Sequence, residues 1–204
     1  MTQLEILGLG FGLGVRHALD ADHLVAVSTL VSQERSHWRA TRVAALWGTG
    51  HTTTFLAVGL VLAWTEVRLP GHFATWAESA VGVMLIAMGI WQLRGVLLSG
   101  TREPIPPILG DLQPLLVGLV HGLAGSTGIA LLYAASLPTP LLAAGHLALN
   151  ALGTLAGMVS LTALLTRPLM WARGRSDSAL FVLRGLTALL SVLLGLWILG
   201  TPLT

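Results

Sequence analysis

The sequence predicts an all-α integral membrane protein with six transmembrane helices, arranged as an inverted 3+3 repeat. Three observations carry this. The 204 residues are 54% hydrophobic and 10% charged, with a mean hydropathy of +0.79, outside the balance of a water-soluble domain. Apolar stretches long enough to cross a hydrocarbon core of roughly 30 Å recur along the whole length. Short motifs of the first half return, in order, in the second.

The spans are expected at Leu4 to Val31, Ala40 to Trp64, Thr75 to Leu98, Gln113 to Ala135, Pro140 to Leu165 and Ala179 to Gly200. The first is longer than a single crossing requires. It opens with GLGFGLG, whose glycines at every second position from Gly8 to Gly14 permit close helix contact and weaken local helicity. A broken or tilted first helix is therefore expected. Its start lacks a basic n-region and a cleavage site, so it reads as a mature helix and not as a signal peptide. The connections SQERSHWR, TEVRLPGHF, SGTREPIPPILGD, SLPT and TRPLMWARGRSDS are turn and interface sequences.

Arginine sets the orientation, since lysine is absent. Arg35, Arg39 and Arg42 flank the first connection, Arg94 and Arg102 the third, and Arg167, Arg173, Arg175 and Arg184 the fifth. Only Arg68 falls on the other side. By the positive-inside rule the odd-numbered connections face the cytoplasm, and both termini lie outside an inner (cytoplasmic) membrane. The basic balance is a topology signal, and no nucleic-acid partner is expected. With no cysteine, thiolate sites for Cu(I) or iron–sulfur clusters are excluded.

GVRHALDADHLVAV in the first span aligns with GLVHGLAGSTGIAL in the fourth, pairing His17 with His121. Gly50-His51 then matches Gly145-His146, and GIWQL at Gly89 matches GLWIL at Gly195. Each half has three spans, so the second is inverted relative to the first, with a site expected near the midplane. The domain is a single one, residues 1–98 forming one repeat and 113–204 the other.

The chemistry concentrates in Arg16-His17-Ala18-Leu19-Asp20-Ala21-Asp22-His23. His17 lies roughly 20 Å along a helix beginning near Leu4, at membrane depth. One charge at a helix centre costs about 3 kcal/mol on insertion scales, so ionisable groups there face a cavity and serve a function. On a regular helix His17, Asp20 and His23 share a face, whereas Asp22 points away unless the helix is unwound. The spacing leaves open whether Asp22 is a ligand or the partner of Arg16. His51, His121 and His146 lie in other spans, each flanked by glycine, which lets an imidazole reach across a helix interface. Imidazole with carboxylate suits nickel, cobalt or zinc better than magnesium or calcium.

RHALDADH resembles the signature of the nickel/cobalt transporter family, H-A-x-D-A-D-H in a membrane helix, and GHTTT resembles that family's second motif, Gly-His followed by Ser or Thr. In size the chain is similar to the six-span branch associated with urease and hydrogenase maturation. The resemblance implies that His17, Asp20, Asp22, His23 and His51 recognise the metal, with His121 and His146 added by repeat symmetry as further pathway residues. It implies a permease for Ni2+ or Co2+, with Zn2+ also suited to the donors, working by uptake without a tightly bound cofactor. A metallochaperone or an energising subunit would be its partner beyond the lipid bilayer.

The bland alternative for these residues is a buried polar network that fixes helix packing. Two functional rivals remain. An intramembrane zinc hydrolase would use the same residues, but no HExxH occurs, and Glu66 and Glu78 lie near the expected interfaces. A proton-coupled transporter of another solute would use Arg16 as its contact. An enzyme is not expected. Trp38, Trp64, Trp76, Trp91, Trp171 and Trp197 are expected as interface anchors, His37 and His72 as solvated residues, and Met84 and Met88 as packing.

Overall fold

The computed structural model describes residues 2–34, 36–65, 72–99, 110–123, 128–173 and 177–201. Arg35, Glu66, Arg68, Arg102 and Arg175, used above, lie outside them. The described residues form helices α1 (Gln3–His17), α2 (Ala21–Val31), α3 (His37–Thr65), α4 (Phe73–Ser99), α5 (Gln113–His121), α6 (Gly128–Ala135), α7 (Pro140–Arg173) and α8 (Asp177–Gly200), with a 3-10 turn at Gly110–Leu112.

Among the described residues, four helices are long and apolar enough to cross a membrane: His37–Thr65, Phe73–Leu98, Pro140–Pro168 and Ser178–Gly200. The first expected span is broken, in line with its length and glycines, and the fourth is broken as well, which its sequence does not predict. The first is two helices, α1 and α2, and the fourth is two, α5 and α6. At 15, 11, 9 and 8 residues and 1.5 Å per residue, none of the four pieces reaches across roughly 30 Å alone. The protein is all-helical and built for a membrane, with large apolar side chains such as Leu4, Leu132, Leu141, Leu164 and Trp197 exposed on its outside.

Local chemistry explains the ends. Thr2 and Glu5 form a reciprocal capping box at the start of α1, which satisfies backbone donors that would otherwise be orphaned. α1 stops after His17, where the amides of Leu19 and Asp20 turn back to the carbonyls of Arg16 and His17. Asp20, in extended conformation, is the N-cap residue of α2. The α5 helix begins with Pro114 in its first turn, where proline lacks no needed donor, and ends at His121, followed by Gly122.

Glycine sets how closely the helices approach. A Cβ at Gly14 would collide with Asn150 O, and one at Gly10 would lie 2.6 Å from His146 O, so α1 and α7 touch backbone to backbone and run in the same direction. Gly118 meets Trp47 O and Gly122 meets His51 O, so α5 and α3 also run in parallel. The third pair is antiparallel: a Cβ at Gly89 would lie 2.6 Å from Ala188 O and one at Gly82 3.0 Å from Gly195 O, joining α4 to α8. Between these pairs lies an apolar core in which Ala26, Val27 and Val31 of α2 pack with Trp47, Leu85 and Met158. Met88 and Met84 belong to this core or line it, as expected.

Candidate metal centre

The break after His17 is what assembles the site. Helix α1 ends there and α2 restarts after Ala18–Asp20, with Asp20 in extended conformation, so the last residue of α1 and the first turn of α2 meet two other helix segments. His17 is the last residue of α1, His121 the last of α5, His51 lies within α3, and Asp22 and His23 occupy the first turn of α2. His17, His23, His51 and His121 are 8%, 0%, 1% and 1% exposed. Their rings stand close together, with centroids 4.4 Å apart for His17–His23, 5.0 Å for His23–His51, 4.4 Å for His23–His121 and 5.2 Å for His17–His51.

The hydrogen bonds divide these groups into two roles. His17 Nδ1 lies 2.9 Å from Asp20 Oδ2. His23 Nδ1 lies 3.1 Å from Asp22 Oδ1, and His121 Nε2 lies 2.8 Å from Asp22 Oδ2. A carboxylate accepts only, so in each pair the imidazole N–H donates. That assigns the opposite nitrogens, His17 Nε2, His23 Nε2 and His121 Nδ1, as lone-pair donors to whatever the site holds. His23 Nε2, His51 Nδ1 and His121 Nδ1 are buried without a hydrogen-bond partner. Unsatisfied buried imidazole nitrogens are uncommon in proteins, and the lone pairs left on His23 Nε2 and His121 Nδ1 fit a cation, with His51 contributing through the Nε2 that faces His17.

Distances agree with that fit. His17 Nε2 and His51 Nε2 are 3.2 Å apart, near the roughly 3.3 Å edge of a tetrahedron with metal–nitrogen bonds of about 2.05 Å. Ligand atoms of His17, His23 and His51 all lie within 4.8 Å of one another, as do those of Asp22, His23 and His121. The carboxylates behind the imidazoles are the arrangement that orients metal-ligating histidines and raises their basicity. The C-terminal ends of α1 and α5 both point here, and the partial negative charge of a helix C-terminus favours a cation.

The sequence-derived residues thus fall into three groups. His17, His23, His51 and His121 come together, with Asp22 between two of them. Asp20, 37% exposed, stands behind His17. His146 is elsewhere: it is fully buried, donates Nδ1–H to Ile6 O at 3.0 Å and stacks near Tyr133 at 5.0 Å. Arg16 is exposed and does not pair with Asp22, whose two oxygens go to His23 and His121. Trp47 was missed by sequence reasoning. It is fully buried, 5.5 Å from His23 and 5.7 Å from His121 by ring centroid. Its place four residues before His51, one turn away on the same helix face, was the available signal.

Several known proteins are similar to this chain. The urease accessory protein UreH of Bacillus sp. strain TB-90 is 32% identical over 177 residues, covering 81% of this chain and 78% of the relative. The Chloroplast protein FOR GROWTH AND FERTILITY 2 of Arabidopsis thaliana is 30% identical over 169 residues, 75% of this chain, which spans only 45% of that relative. A high-affinity nickel transport protein of Cupriavidus necator is 28% identical over 98 residues, 47% of this chain and 28% of its own length. No protein-family model matches the chain, and no solved structure matches it.

Proposed function

The chain belongs to the family of the urease accessory protein UreH, and on that premise we propose that it is a secondary permease that takes up Ni2+ or Co2+ across the cytoplasmic membrane. The relatives named for urease maturation and for nickel transport support a metal-transport or nickel-related role. Neither is named as an enzyme, which is consistent with a protein that moves its substrate unchanged. The observation that carries the finer reading is the buried cluster of four imidazoles with two carboxylates behind it. In this reading His17, His23, His51 and His121 bind the ion, while Asp20 and Asp22 fix their tautomers and supply compensating negative charge.

Six crossings remain the best account of the architecture. If α1 with α2, and α5 with α6, each make one discontinuous span, alternation requires spans one and five to run together, two and four together, and three against six. The helix directions set by the glycine contacts agree with each of these. The same contacts support an inverted repeat. Exchanging the halves carries the Gly14–Asn150 contact onto Gly118–Trp47, and Gly89–Ala188 onto Gly195–Gly82. His17 then matches His121 and Gly89 matches Gly195, as the sequence suggests. The register favoured for the middle helix pairs Gly50 with Gly153, not Gly145, which leaves His146 without a symmetry mate.

The first half-helix pair breaks at the site and α5 ends there, the kind of arrangement by which secondary transporters expose backbone ends to an ion at the midplane. Membrane potential suffices as a driving force: two charges crossing 100 mV gain about 4.6 kcal/mol, enough for roughly a thousandfold accumulation. Labelled nickel and cobalt entering proteoliposomes under an inside-negative potential tests the reading. Uptake by the wild type, lost in His17→Ala, is expected. Bound zinc with hydrolytic turnover and no flux would replace it with the hydrolase reading, and flux of another solute alone would replace it with a third.

A further inference from the structure

Among the described residues, Arg184 is the most deeply buried charged side chain outside the metal centre, 1% exposed, and the proposed site makes no use of it. Its Nε–H donates to Ser32 O at 3.1 Å. Ser32 is the C-cap residue of α2, so an arginine of α8 captures the free carbonyl end of the helix whose other end carries Asp22 and His23. Gln92 of α4 completes the junction. Its side-chain nitrogen donates to Arg184 O at 2.8 Å and to Thr187 Oγ1 at 2.7 Å, while its oxygen accepts from Ser32 Oγ at 3.1 Å. Gln92 is also 1% exposed, and hydrogen bonds so far from water are not exchanged for solvent bonds without loss.

The packing of the other helices separates into two bodies. In one, α1 and α7 meet through backbone contacts at Gly14 and Gly153, and α3 and α5 through backbone contacts at Gly118 and Gly122; α3 joins α7 through Gly48 packed on the Leu155 and Met158 side chains and through His37 Nδ1 to Thr166 Oγ1 at 3.1 Å. In the other, α4 and α8 meet through Gly82, Gly89 and Gly195, with Ser191 Oγ donating to Leu85 O at 2.7 Å. Where a glycine backbone is locked against another backbone, the two helices move together. The flank of α2 meets both bodies through apolar side chains, Ala26, Val27 and Val31, across which sliding is cheap compared with breaking buried polar bonds. Its C-terminal end is bonded to the α4–α8 body. Its N-terminal end follows the turn at Ala18–Asp20 and carries a polar bond to the other body, His121 Nε2–H donating to Asp22 Oδ2 at 2.8 Å, the bond that opening the site must break.

We propose that Arg184 and Gln92 are positioning residues that tie α2 to the α4–α8 pair, making His23 and Asp22 the movable half of a metal site whose fixed half is His17, His51 and His121. This rests on the metal-transport reading and divides the molecule differently from its sequence repeats: the bodies that rock are the α1–α3–α5–α7 quartet and the α4–α8 pair. Displacing the pair draws α2 by its C-terminal end, withdraws His23 and Asp22 from the other imidazoles, and opens the ligand shell. Shifts of about 1–2 Å at helix interfaces are ordinary in such transitions, and they suffice to break metal–nitrogen bonds of about 2.05 Å.

Two measurements on the full-length protein test this. In the first, Gln92→Leu, of similar volume and without hydrogen-bonding groups, is compared with the wild type for Ni2+ binding at equilibrium and for Ni2+ uptake at saturating metal. Binding is expected within about threefold of wild type, with uptake reduced about tenfold or more, the split that separates site occupancy from turnover. Arg184→Lys, which keeps a donor for Ser32 O, is expected to retain more uptake than Arg184→Met. Equal losses of binding and uptake, or no loss of either, would overturn the proposal.

The second keeps the native junction. Because the chain has no cysteine, nitroxide pairs are placed cleanly at exposed Val83 with Leu190, within the pair, and at Val83 with Leu152, between the bodies. On adding Zn2+ the first distance is expected to stay fixed and the second to change by about 2 Å or more. A fixed second distance with metal bound would overturn the rocking of the pair. Wild-type protein that neither binds nor carries Ni2+ would instead remove the metal-transport reading, and this inference with it.

Discussion

Asp22 shows how much one carboxylate decides. Each of its oxygens accepts from a different imidazole, His23 on its own helix and His121 from α5. Asp22→Asn keeps the size but turns one acceptor into a donor, so one imidazole must reverse its tautomer and aim a proton at the ion. A fall in Ni2+ affinity of about 10- to 100-fold is expected, the usual effect of removing an outer-shell partner, and isothermal titration of the purified protein checks it. Asp20→Asn is expected to do less, because Asp20 orients a single imidazole from a part-exposed position. Trp47 supplies a second readout. A bound Ni2+ or Co2+ ion would lie beside its indole, so metal-dependent quenching of tryptophan fluorescence is expected in the wild type and is expected to lose its largest component in Trp47→Phe. At this scale the sequence is informative where charge and depth conflict. His17, Asp20, Asp22 and His23 stand out because ionisable groups are costly in hydrocarbon. Trp47 does not, since tryptophan is ordinary at membrane interfaces, and its burial depends on helices α2 and α5 arriving from elsewhere in the chain.

The glycines of the helices separate into those that are needed and those that are not. GLGFGLG suggests close contact along its whole length, but only Gly10 and Gly14 face α7, while a methyl group added at Gly8 or Gly12 would meet nothing within 4 Å. The helical period explains the division, since positions four apart share a face and a two-residue spacing alternates between neighbour and lipid. Gly118→Ala is expected to destabilise the protein by about 1–3 kcal/mol through overpacking against Trp47 O. Gly12→Ala is expected to be neutral or stabilising by up to about 1 kcal/mol, from helix propensity alone. Thermal unfolding in detergent distinguishes the two. The break in the first span is legible from its excess length and its glycines. The break in the fourth is not, because GLVHGLAGSTGIAL reads as one apolar run, although Gly122 directly follows the end of α5. Arg184 reads locally as a flanking charge that sets topology. Its burial arises from a hydrogen bond to a carbonyl 152 residues away, a relation that local pattern does not encode.

At the scale of the whole molecule, a lipid-facing shell of apolar side chains surrounds a polar centre built from helix ends. The long helices α3, α4, α7 and α8 supply the walls, and three of the short pieces, α1, α2 and α5, bring a terminus to the middle. The proposed inverted repeat would account for the ends of α1 and α5, each closing on a histidine, arriving at one place from opposite directions. The centre is not symmetric, since Asp22 and His23 enter from α2. That asymmetry suits a site in which one part holds still while another moves. The most direct test is X-ray absorption at the metal edge of purified protein loaded with one equivalent of Ni2+ or Zn2+. A buried imidazole centre predicts a first shell of three to four imidazole nitrogens, at about 2.0–2.1 Å for zinc, losing one nitrogen in His121→Ala. A shell made only of oxygen, or protein that retains no stoichiometric metal, would contradict it.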